Sequence, residues 1–147
     1  LSLSGLQVIN NIFIGNEDYT DRLETINNAY LEQFVNNDND KLSELSSFDL
    51  QDINNMFRYK QKNTGMLKRL NHAYLEQFIK DNNKMSNLEF NNFKHINNMF
   101  RYYREYTDQL KEFNDVYFNQ HNVMEPDTID FDEFDVPLPP PPPIPVM

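Results

Sequence analysis

The chain has no cysteine and no tryptophan, only three glycines, and no proline in its first 125 residues. Without cysteine there is no disulfide framework, no thiol nucleophile and no thiolate metal ligand. With so few glycines there is no Gly-rich loop to cradle a phosphate, and no His-x-x-x-His pair or carboxylate cluster marks the proline-free part as a metal or acid–base site. Bases are also scarce. Thirteen Lys and Arg stand against 23 Asp and Glu, a net charge of −10, so a polyanion is repelled, which argues against nucleic acid and against anionic membrane surfaces. No apolar run reaches the roughly 18 residues a membrane-spanning helix needs. The opening LSLSGLQVINNIF lacks the basic start and small-residue cleavage site of a signal peptide. An enzyme is not expected, nor any metal or cofactor.

The material that is present suits a helical core. Apolar residues make up 39% of the chain, with twelve Phe and eight Tyr, and the 22 asparagines are read mostly as compositional bias. Two blocks alternate. Block A reads QVINNIFI from Gln7, QDINNMFR from Gln51 and KHINNMFR from Lys94; block B reads LETINNAYLEQF from Leu23, LKRLNHAYLEQF from Leu67 and LKEFNDVYFNQH from Leu110. Both blocks recur at offsets of 44 and then 43 residues, the signature of a stacked helical repeat. In block B, Leu67, Leu70, Tyr74 and Phe78 have the spacing of a buried helical stripe, repeated by Leu23, Ile26, Tyr30, Phe34 and by Leu110, Phe113, Tyr117, His121. Leu50, Ile53, Phe57 and Phe93, Ile96, Phe100 do the same in block A, widened by Met56 and Met99. Ser86 and Glu89 have capping-box spacing before the third block A. Gly65 with Asn63–Thr64 is expected in the turn between blocks, and the polar runs 36–41 and 81–84 are expected to separate copies. The predicted fold is therefore all-α: antiparallel helix hairpins stacked into a curved solenoid. Residues 1–122 form the array, 123–136 an acidic linker, and 137–147 a disordered proline-rich arm. The apolar start LSLSGLQVI implies further repeats of a parent chain on the N-terminal side.

Candidate sites divide between array and arm. His72, His95 and His121 change identity from copy to copy, unlike a repeated ligand set. MLKRL at Met66–Leu70 resembles the LKKT/V core of short actin-binding helices, yet the same positions read LETI and LKEF in the other copies, which favours structural filler. Asn54, Asn55 and Arg58, repeated as Asn97, Asn98 and Arg101, put amides and a guanidinium on one helix face. These residues either hydrogen-bond between neighbouring helices or form a polar row on the array's inner surface.

All eight prolines fall in the last 22 residues. The segment EPDTIDFDEFDV has the composition of a solvated acidic spacer. Then Pro137, Leu138, Pro139, Pro140, Pro141, Pro142, Pro143, Ile144 and Pro145 read PLPPPPPIP, a preformed polyproline II ligand. Its acidic flank disfavours an SH3 domain, a WW-type PPxY is absent, and LPPPP is a weaker form of the EVH1 ligand. Five prolines framed by Leu138 and Ile144 are what profilin accepts best.

An asparagine-rich, cysteine-free hairpin array ending in such a tract resembles the surface cell antigen family of rickettsial autotransporters, in its formin-mimicking, actin-nucleating branch. The resemblance spans the whole chain. It implies a repeat array that holds an actin subunit or filament end, with Asn54, Asn55, Arg58, Asn97, Asn98 and Arg101 as candidate contacts, and a tract at 137–145 that recruits profilin–actin. It also implies a passenger displayed on a bacterial surface and exposed to host cytosol; a cytoplasmic protein is the alternative. The competing function is a non-enzymatic scaffold whose arm recruits an EVH1 or SH3 module.

Overall fold

The computed structural model describes residues 1–36 and 40–121. The prolines, the acidic linker and the arm lie outside the described residues. Within them the chain is all-helical, with eight α-helices, three single 3-10 turns and no strand. The order is α1 (Leu3–Phe13), α2 (Thr20–Val35), α3 (Asp40–Glu44), α4 (Ser47–Phe57), α5 (Thr64–Lys80), α6 (Asn82–Ser86), α7 (Phe90–Phe100) and α8 (Thr107–His121). Block A forms α1, α4 and α7, and block B forms α2, α5 and α8. The 3-10 turns at Glu17–Tyr19, Gln61–Asn63 and Arg104–Tyr106 join each A helix to its B helix.

Local chemistry explains where these helices start. The Ser2 hydroxyl accepts from the Gly5 amide at 3.0 Å, and Ser46 accepts from Asp49 at 3.1 Å, each meeting one of the free amides of a first turn. The corresponding residue of the third copy is Glu89, and it makes no side-chain cap. The expected Ser86–Glu89 capping box does not form: Ser86 belongs to α6, where its hydroxyl donates to the Asn83 carbonyl. Two polar runs also prove partly helical. Asp81 caps α6 by accepting from the Asn83 and Lys84 amides, while buried Met85 and Leu42 fasten α6 and α3 to the core. Gly65 lies inside the first turn of α5 and not in the turn before it. Gly15, directly after α1, has φ +78°, a left-handed conformation that glycine alone adopts without strain.

The described residues fall into two compact units, 1–71 and 72–121. In the first, Leu6, Leu31, Leu50, Ile53, Phe57 and Leu70 are fully buried. Its A-helix stripe is as expected in the second copy, but the first copy is less covered: Ile26 is 38% exposed, and Leu1, Val8, Ile12 and Ile14 are all exposed on or beside α1. Leu45 and Leu88, the counterparts of Leu1, are buried.

In the second unit Leu75, Met85, Phe93, Ile96, Phe100 and Phe113 form the centre. Phe93 stacks on Tyr117 at 3.7 Å between ring centroids and on Phe113 at 5.7 Å. Phe78 departs from the expected core position. It is half-buried, lying edge-on to Tyr74 and Phe113. His121 likewise is half-buried, stacked on Tyr117 while its Nε2–H donates to the Met85 carbonyl at 2.8 Å.

Two buried phenols tie stability to alkaline pH. The Tyr30 hydroxyl is pushed above its ordinary value by burial and then by the Asp49 charge, and Tyr117 by burial. The folded state therefore holds these protons more tightly than the unfolded state, so stability is intact below pH ~10 and falls as pH rises through and above it. Thermal midpoints measured from pH 8 to 11 should decline, and the Tyr30→Phe/Tyr117→Phe variant should flatten the decline. An equally steep fall in that variant would place its origin elsewhere.

Candidate functional site

The doubled asparagines of block A do two different jobs. Asn54 is buried and exchanges two hydrogen bonds with Asn71 of α5, Nδ2 to Oδ1 at 2.9 Å one way and 2.8 Å the other. Asn54 Nδ2 also donates to the Leu50 carbonyl at 2.9 Å. The same arrangement joins Asn10 to Asn27 and Asn97 to Asn114, each pair 17 residues apart. Each A helix is thus clamped to the B helix that follows it by a reciprocal amide pair. Buried polar groups need partners, and this pairing satisfies both amides at once.

That assigns Asn54 and Asn97 to the interior, the first of the two roles read from the sequence. Asn55 is exposed, and no hydrogen bond among the described residues engages it. Arg58 is half-buried. In the second unit Asn98 is 6% exposed, with no partner for its Oδ1 among the described residues. Arg101 donates through Nη2 to the Tyr102 hydroxyl at 2.6 Å and lies over that ring. So the candidate residues do not share one face. Asn55 is the member that lines a groove in the first unit, formed by α1 and α4 with the residues that follow them, of ≈ 420 Å³. Asn11, its counterpart one copy earlier, lines the same groove.

Sequence reading missed Asn10, Asn27, Asn71 and Asn114 as a set, although the constant 17-residue offset between INN and the block-B asparagine was visible. It also missed the contact between the B helix of one copy and the turn of the next. Asn63 Nδ2 donates to Asn28 Oδ1 at 2.8 Å, with Lys62 to Glu24 at 3.5 Å beside it. At the same positions of the second unit the Tyr106 ring packs on His72 at 4.9 Å, and Gln109 Nε2 donates to the His72 carbonyl and to Glu76. His72 Nδ1 is 2.6 Å from Gln109 Oε1, so its variation across copies follows a packing partner. Among the described residues no group of three or more His, Asp or Glu gathers as a metal site, and no helix is long and apolar enough to cross a membrane. The profilin-type residues 137–145 lie outside the described residues.

Compared with family models, with curated proteins and with solved structures, the chain gives no match.

Proposed function

We propose that the chain works by binding other proteins, as part of an actin-assembly factor. In this reading the hairpins stack as copies of one unit in a curved solenoid that holds an actin subunit or filament end. The tract from Pro137 to Pro145 recruits profilin–actin to it. The observation that carries the reading is the tract itself, five consecutive prolines framed by Leu138 and Ile144 directly after an acidic spacer. Tethering raises the effective concentration of the delivered subunit, up to about millimolar for short flexible linkers. Such a chain acts where actin is, which for a bacterial surface passenger is host cytosol.

Stacking is supported by the repeated contact of a B helix with the next turn, Asn28 with Asn63 and His72 with Tyr106.

The test replaces Pro139 to Pro143 with alternating Gly and Ser. Calorimetry should show profilin binding in the micromolar range or weaker, because one short tract buries little area, and the substituted chain should lose it. Helicity and melting should not change. Pyrene-actin assembly with and without profilin then reads the activity. An intact tract that binds an EVH1 module and not profilin would overturn the actin reading in favour of a scaffold.

A further inference from the structure

We propose that the α1–α4 groove of the first unit binds an extended polypeptide strand, gripping its backbone through the side-chain amides of Gln7, Asn11 and Asn55. The argument starts from which polar side chains are already engaged. Asn10, Asn27, Asn28, Asn54, Asn63 and Asn71 are all paired inside this unit. Gln7, Asn11 and Asn55 are exposed, have no partner among the described residues, and line the same groove. Asp52 and Lys60 line it too, and neither is in an ion pair among the described residues.

A carboxamide offers a donor and an acceptor side by side, which matches the N–H and C=O that one residue of an extended chain presents on the same edge. Gln7 and Asn11 are four residues apart on one face of α1, and Ile14 follows three residues on, at the cap that ends the helix. They cover about 10 Å at 1.5 Å per residue, the length of about three extended residues at 3.3 Å each. Ile14 and Met56 supply an apolar wall for one side chain of the strand. Asp52 and Lys60 favour a base and an acid on it. A nucleic acid is repelled by the net charge of −10, and no aromatic ring lines the groove to stack on a sugar. The proposal does not depend on actin as the partner.

The test uses the whole chain. Random peptides displayed on phage are panned on it, and the most enriched sequence is synthesised with a fluorophore, together with a version N-methylated at its central peptide bonds. Fluorescence anisotropy should give micromolar binding. It should weaken about tenfold or more in Asn11→Ala/Asn55→Ala, since each amide loses two hydrogen bonds. N-methylation should weaken it similarly, because that change removes backbone donors and leaves side chains alone. Glu112→Ala, on the exposed side of α8, should leave binding unchanged. Since Asn11 and Asn55 are exposed and unpaired, the double variant should melt like the parent chain, so a loss of binding is not a loss of fold. If panning yields no peptide sensitive to Asn11→Ala/Asn55→Ala, or if the best binder tolerates N-methylation, the groove is not a strand site.

Discussion

Phe93→Ala should destabilise the second unit by about 3–5 kcal/mol, the usual cost of removing a fully buried ring. Phe93 is 0% exposed and central to the aromatic cluster. Its ring stacks on Tyr117 and Phe113 and meets the edge of Phe118 at 5.6 Å. Truncation removes the contacts with all of these rings at once and opens a cavity between α7 and α8 that rigid neighbours fill only in part. Phe90 provides the control on the same helix. It is 38% exposed and its ring lies 6.1 Å from Phe93, so Phe90→Ala should cost less than about 1 kcal/mol. Urea unfolding followed by circular dichroism compares the two, and near-ultraviolet signals report whether the aromatic cluster persists. Equal losses for the two variants would mean that Phe93 is not the centre of that core.

Phe93 was legible in the sequence because INNMF fixes the register of block A, and a helix with apolar residues at i, i+3 and i+7 has one face to bury. Block B was read less well for a physical reason. Its stripe was drawn through Tyr30, Tyr74 and Tyr117, yet the next residues, Leu31, Leu75 and Phe118, are also buried. A helix covered from more than one side buries a wider arc than one line of positions describes. Phe78 and His121 lie within that arc but in the last turns of α5 and α8, and are half-buried. The short helices α3 and α6 were hidden because their polar composition masks single anchors, Leu42 and Met85. The cap at Ser86 was misplaced by three residues; applying the repeat period to Ser2 and Ser46 leads to Glu89 instead. The groove was half legible. Periodicity put asparagines on the A helices, but only packing decides which of two adjacent amides turns inward.

That decision can be measured. Asn54→Leu should cost about 2–4 kcal/mol, because it takes from the buried Asn71 amide both the donor and the acceptor that Asn54 supplies, at about 1–3 kcal/mol for each hydrogen bond broken at a buried group. Asn54→Leu/Asn71→Leu should be much less destabilised than the sum of its two single variants. With both amides gone neither is left facing an apolar side chain, and two apolar side chains of similar size meet across the clamp. The Leu50 carbonyl loses one donor in either case but keeps its helical hydrogen bond, so it adds little to the difference. Asn55→Leu, one residue along the same helix, should change stability by less than about 0.5 kcal/mol, since its amide is exposed and unpaired. A double-mutant cycle in urea yields the coupling directly. Strong coupling between Asn54 and Asn71, beside a silent Asn55, is the pattern that a structural and a free asparagine in one dipeptide require. Additive losses would mean that the reciprocal pair is not what holds α4 to α5, and the assignment of the doubled asparagines to separate jobs would fail with it.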